Sequence, residues 1–61
     1  MPTLKEIRES KFISQDDLSK LSGITAATIS RLETGKEKPR FVTIRKLAAA
    51  LEVQPGDIEF K

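Results

Sequence analysis

The sequence has no cysteine, histidine, tyrosine or tryptophan, and only three glycines, three prolines and three phenylalanines among its 61 residues. Without cysteine there is no disulfide framework, and an oxidising compartment gains no support. A histidine general base, a cysteine nucleophile and a soft-ligand metal site are excluded with the residues that would form them. The only adjacent carboxylates, Asp16 and Asp17, point to different sides of a helix and make no catalytic pair. An enzyme is therefore not expected, and neither is a metal or cofactor. No apolar run approaches the length of a membrane span. Residues 1–10 carry charge throughout and lack the apolar stretch of a signal peptide, so a cytoplasmic protein is the expectation.

Sixty-one residues suffice for one domain, taken as residues 1–61. A chain this short buries only about 60% of the surface its unfolded form exposes, so its core must be economical. The net charge of +2 says little about partners, but its distribution says more. Residues 25–46 hold six cations (Arg31, Lys36, Lys38, Arg40, Arg45, Lys46) against two anions (Glu33, Glu37), a local charge of +4. The remainder, with five cations and seven anions, sums to −2. One basic stretch in a mildly acidic chain suits contact with a polyanion on one face.

Local punctuation predicts five short helices. Thr3 and Glu6 form a T-x-x-E capping signature ahead of Leu4 and Ile7. Ser14 caps a second helix, with Asp16 and Asp17 in its first turn, Leu18 and Leu21 facing inward, and Gly23 at its end. Thr25 caps a third helix that Gly35 ends, with Ile24 and Ile29 at the two positions of a hydrophobic staple. Phe41, Ile44, Leu47, Ala48 and Leu51 recur at helical spacing in a fourth. Pro55 suits the first turn of a fifth that holds Ile58. Nothing alternates with period two, so no strand is expected.

Only Gly23 to Thr25 separate the second helix from the third. A glycine-containing connector of that length makes two helices cross steeply. With Ala26 at zero and about 100° per residue, Ile29 and Leu32 fall at about 300° and 240° on the buried side. Ala26, Ser30, Ala27 and Arg31 fall at about 0°, 40°, 100° and 140°. The outward face is thus low in profile, with Arg31 its one charge, and a helix of that shape can approach the floor of a groove.

The chain resembles the phage repressor and Cro type of helix-turn-helix protein, the XRE family, over about nine-tenths of its length. The matching pieces are L-K-E-I-R-E (4–9), S-Q-D-D-L (14–18), S-G-I-T (22–25), T-I-S-R-L-E-T-G (28–35), K-P-R-F (38–41) and L-A-A-A-L-E-V (47–53). The resemblance implies an all-α, compact five-helix repressor-like domain that binds double-stranded DNA with its third helix in the major groove. It implies that Ala26, Ala27, Ser30 and Arg31 face the bases. Gln15, Thr25, Thr28, Lys36, Lys38 and Arg40 would then contact the phosphate backbone. Arg31 matches the acceptor pair of a guanine but could equally clamp a phosphate. Arg8 and Glu33 occupy positions that form an internal ion pair in the family.

The sequence departs from the family at several points. Ala26 and Ala27 replace longer polar residues, so base reading falls more heavily on Arg31 and on DNA shape. Phe12 and Glu52 stand where glycine is common. Phe12 either packs over the core or contacts another protein. Arg40 occupies a cap position without being a capping residue. Val53, Pro55, Ile58 and Phe60 either meet a second copy in a homodimer on DNA or close the core of one copy. The expected function is sequence-specific transcriptional regulation, most simply repression. The alternative is an antitoxin or interaction module of the same fold, with a protein partner.

Overall fold

The structure, a computed structural model, describes residues 2–60. Its first three helices start where a hydroxyl can stand in for a missing backbone acceptor. In α1 (Leu4–Ser10) the Glu6 N–H donates to Thr3 Oγ1 at 3.3 Å, and the Thr3 N–H returns a bond to Glu6 Oε1 at 2.9 Å. In α2 (Gln15–Ser22) Ser14 and Asp17 make the same reciprocal pair, at 3.0 and 3.3 Å. Thr25 Oγ1 accepts the Thr28 N–H at 3.2 Å to open α3 (Ala26–Glu33). Caps of this kind each contribute about 1 kcal/mol. Arg40 precedes α4 (Phe41–Leu51) with no side-chain cap bond.

The C-terminal ends of α1, α3 and α4 share a second device. The Lys36 N–H reaches back to the Arg31 carbonyl and the Gly35 N–H to that of Leu32, with Gly35 at φ 77° between them. This pair of crossed bonds after a left-handed residue is the Schellman motif. Phe12 and Glu52 hold the equivalent place after α1 and α4, at φ 57° and 59°. In both cases the next residue, Ile13 or Val53, packs against the core. The left-handed region costs an ordinary side chain on the order of 1 kcal/mol that glycine avoids. Phe12→Gly and Glu52→Gly are each expected to stabilise the fold by about 1 kcal/mol in urea titrations, a few degrees of melting temperature in a domain this small.

Leu4, Ile7, Leu18, Ile29, Leu32, Leu47, Ala48, Leu51 and Ile58 form the buried core. It draws on every helix, with α2 packed on both α3 and α4 and α1 packed on α3. Two residues expected inside lie outside: Leu21 is 61% exposed and Phe41 is 85% exposed. Both sit at helix ends, Leu21 in the last turn of α2 and Phe41 at the first position of α4. Each points from its helix to a side that no other element covers.

The fifth helix is also corrected. Among the described residues there are four α-helices, and the final element is a single 3₁₀ turn, Pro55–Asp57. Gly56 is a poor helix former, and Asp57 Oδ2 accepts the Gln54 N–H, closing the turn on itself. Ile58 leaves it in extended conformation with its side chain in the core. Beyond it the Glu59 N–H donates to the Pro2 carbonyl at 2.9 Å, and Thr3 and Glu59 form an isolated parallel bridge. The chain ends are thereby laid side by side, which a continuing helix would prevent.

Candidate nucleic-acid interface

The orientation of α3 begins at Gly23. Its left-handed backbone, at φ 78°, turns the chain sharply after α2, and its N–H closes on the Ser19 carbonyl at 2.9 Å. Ile24 packs against the core, Thr25 caps α3, and Ile29 and Leu32 anchor the helix from its inner side. On the other side Ala26, Thr28 and Ser30 are half-buried, while Ala27 and Arg31 are exposed. Arg31 is the one long side chain on this face.

A polar chain runs along the helix. The Thr28 N–H donates to Thr25 Oγ1, the Thr25 hydroxyl donates to Thr28 Oγ1 at 2.9 Å, and Arg31 Nη2 donates to Thr28 Oγ1 at 3.3 Å. Arg31 Nε then donates to Glu37 Oε1 at 3.2 Å, crossing from the helix to the loop that follows. With half the Arg31 side chain and 42% of that of Glu37 open to solvent, such a pair contributes at most about 1 kcal/mol. Nothing in the sequence marks Glu37 for this contact. Six positions that straddle a helix end and the Gly35 turn match no helical period, so no spacing rule points to the contact.

The loop brings charge to the edge of this face. Lys36, Lys38 and Arg40 are exposed, and among the described residues none of them makes an ion pair. Glu37, Lys38, Arg40 and Thr43 line one shallow recess between this loop and the first turn of α4. Arg31, Lys38 and Arg40 are thus joined through Glu37 on a continuous surface.

Behind that surface lies a buried ion pair. Arg8 Nε donates to Glu33 Oε2 at 2.7 Å and Arg8 Nη2 to Glu33 Oε1 at 3.2 Å, with the side chains 11% and 3% exposed. Arg8 Nη1 also donates to the Ile13 carbonyl at 2.8 Å. The hydrogen bond that Arg8 donates to Glu33 raises the Arg8 pKa above its ordinary value, outweighing the loss of solvation on burial. Gln15, half-buried at the start of α2, donates from Nε2 to Glu33 Oε1 at 2.9 Å. Its amide therefore ties α2 to the pair, where the resemblance implies a phosphate contact alone. Glu33, the last residue of α3, thus ties in the start of α2 and the last turn of α1.

The four C-terminal apolar residues divide. Ile58 is 4% exposed and belongs to the core, so a second copy cannot reach it without unfolding the segment. Val53 and Phe60 pack against the core while half exposed, and Pro55 is exposed. Among the described residues no cluster of metal-binding side chains occurs, and no helix is long and apolar enough to cross a membrane.

Comparison with known proteins places this arrangement. The sequence profile of the Cro/C1-type helix-turn-helix DNA-binding domain matches residues 3–59. The crystal structure of the restriction-modification controller protein C.AhdI from Aeromonas hydrophila superposes with a TM-score of 0.86 at 37% identity, covering 88% of this chain and 82% of that one. The HTH-type transcriptional repressor RghR of Bacillus subtilis is 39% identical over 59 residues, 95% of this chain and 44% of that protein. The uncharacterised HTH-type regulator RghRB of the same organism is 45% identical over 51 residues, 82% of this chain and 37% of that protein. The chain thus spans less than half the length of these two relatives.

Proposed function

The chain belongs to the Cro/C1-type helix-turn-helix DNA-binding family, and from that premise we propose that it lays the outward face of α3 in the major groove and regulates transcription. Repression by occluding a promoter is the simplest mode, and the relative RghR is named a repressor. The observation that carries the reading is the shape and charge of that face. Ala26, Ala27 and Ser30 keep it low, Arg31 projects from it, and Glu37 joins Arg31 to the recess that holds Lys38 and Arg40, with Lys36 exposed on the same loop. Small residues let the helix backbone approach the base edges, and the cations neutralise phosphates on the groove wall. Gln15, Thr25 and Thr28 lie at the N-terminal ends of α2 and α3, where backbone N–H groups favour a phosphate.

The domain acts as a homodimer on DNA. Its longest extent is 22 Å, whereas successive major grooves on one side of the duplex are about 34 Å apart. One copy reads a single half-site, and a two-fold pair reads two. Pro55, Val53 and Phe60 are the C-terminal candidates for that contact. A cytoplasmic protein fits this role. A protein-binding role for the same fold draws support from Phe12, which is 95% exposed.

Arg31→Ala tests the base-reading assignment. On a duplex selected from a random pool by the wild-type protein, the variant should lose roughly 1–3 kcal/mol of binding and relax its preference at one base position. Equal weakening on every sequence would reduce Arg31 to a phosphate clamp.

A further inference from the structure

We propose that Glu37 is a specificity-determining positioning residue, which holds Arg31 for the bases and withholds it from phosphates of arbitrary sequence. The inference rests on the reading that α3 faces the bases.

The guanidinium of Arg31 is held from two directions. Thr28, one turn back on the same helix, takes Nη2 at 3.3 Å, and Glu37, on the loop beyond Gly35, takes Nε at 3.2 Å. Thr28 is itself fixed by the Thr25 hydroxyl at 2.9 Å. The remaining N–H groups of the fork have no partner among the described residues. An arginine read by guanine must present two N–H groups in a plane, and a long free side chain loses rotamer freedom to do so. Anchoring it in the unbound protein removes part of that loss before DNA arrives.

Charge gives the second half of the argument. Glu37 shares its recess with Lys38 and Arg40, two cations without an ion pair among the described residues. An acid amid such a surface repels every phosphate, whatever the sequence. It adds little to the fold, since the pair is half exposed at both ends. An anion that weakens all binding while fixing the reading side chain lowers non-cognate affinity more than cognate affinity. Specificity is such a difference, and it often rests on a repulsive element.

The test compares wild type, Glu37→Gln, Arg31→Ala and the double variant on two probes of equal length, the selected duplex and its scrambled sequence, over a salt series. Thermal unfolding of Glu37→Gln should match wild type. Glu37→Gln should bind the scrambled duplex more tightly, with a salt slope steeper by about one, because Arg31 becomes free to pair with phosphate. The ratio of selected to scrambled affinity should fall roughly tenfold, the scale of one bidentate base contact. In the Arg31→Ala background Glu37→Gln should leave that ratio unchanged. Equal strengthening on both duplexes, or a fall in the ratio that persists without Arg31, would overturn the proposal. If Arg31→Ala by itself leaves the ratio at the wild-type value, it is the base-reading assignment that fails.

Discussion

Truncating Glu33 to alanine should cost roughly 3–5 kcal/mol, because the charge of Arg8 would be left buried without its partner. Arg8 is only 9% exposed, and its guanidinium has two N–H groups committed to that carboxylate. Gln15 would lose its acceptor at the same time. A domain of this size is stable by on the order of 3–9 kcal/mol, so the variant should be partly or wholly unfolded at room temperature, as read by urea titration. Replacing Arg8 and Glu33 together by methionine and leucine should recover most of the loss, since the penalty belongs to the stranded charge. A near-neutral Glu33→Ala would mean that water reaches the pair in solution. The raised pKa of Arg8 places any pH-dependent loss of its contribution above the ordinary arginine range. Its stabilising effect is present in full below that range and falls only as pH rises through the folded-state value.

Reversing Lys38 and Arg40 to glutamate should abolish DNA binding while sparing the fold. Two phosphate contacts become two repulsions, and the loss of contacts alone should reduce the salt slope by about two. At physiological salt the affinity should fall by at least about a hundredfold. The fold has no stake in either side chain, since both are exposed and Arg40 makes no cap bond. An acid at residue 40 would even suit the N-terminus of α4. Circular dichroism should therefore show intact helices in a protein that no longer retards a duplex. Retained binding would place the DNA elsewhere, and a partner protein that co-purifies equally with both forms would favour an interaction role through Phe12.

What the sequence made legible was local. Thr3, Ser14 and Thr25 could be read as caps because each bond spans three residues and depends on nothing distant. The glycine-like positions of Phe12 and Glu52 were visible as departures, and their positive φ angles supply the reason. Leu21 and Phe41 were misplaced because periodicity says which way a side chain points, whereas burial depends on what lies opposite. The last turn failed for a similar cause: Pro55 suits a helix start, but the pairing of Glu59 with Pro2 joins opposite ends of the chain. At the site, Arg31 and the loop cations were legible from residue type and spacing. Glu37 was not, because its contact with Arg31 exists only once Gly35 has folded the loop back beside α3.

The decisive observation is an amide-by-amide NMR titration of the protein with its selected duplex. Changes should concentrate at Ala26, Ala27, Ser30 and Arg31, at Lys36, Glu37, Lys38 and Arg40, and at Gln15. If these signals stayed still while those around the exposed Phe12 and Phe41 moved, α3 would not be the surface that meets DNA.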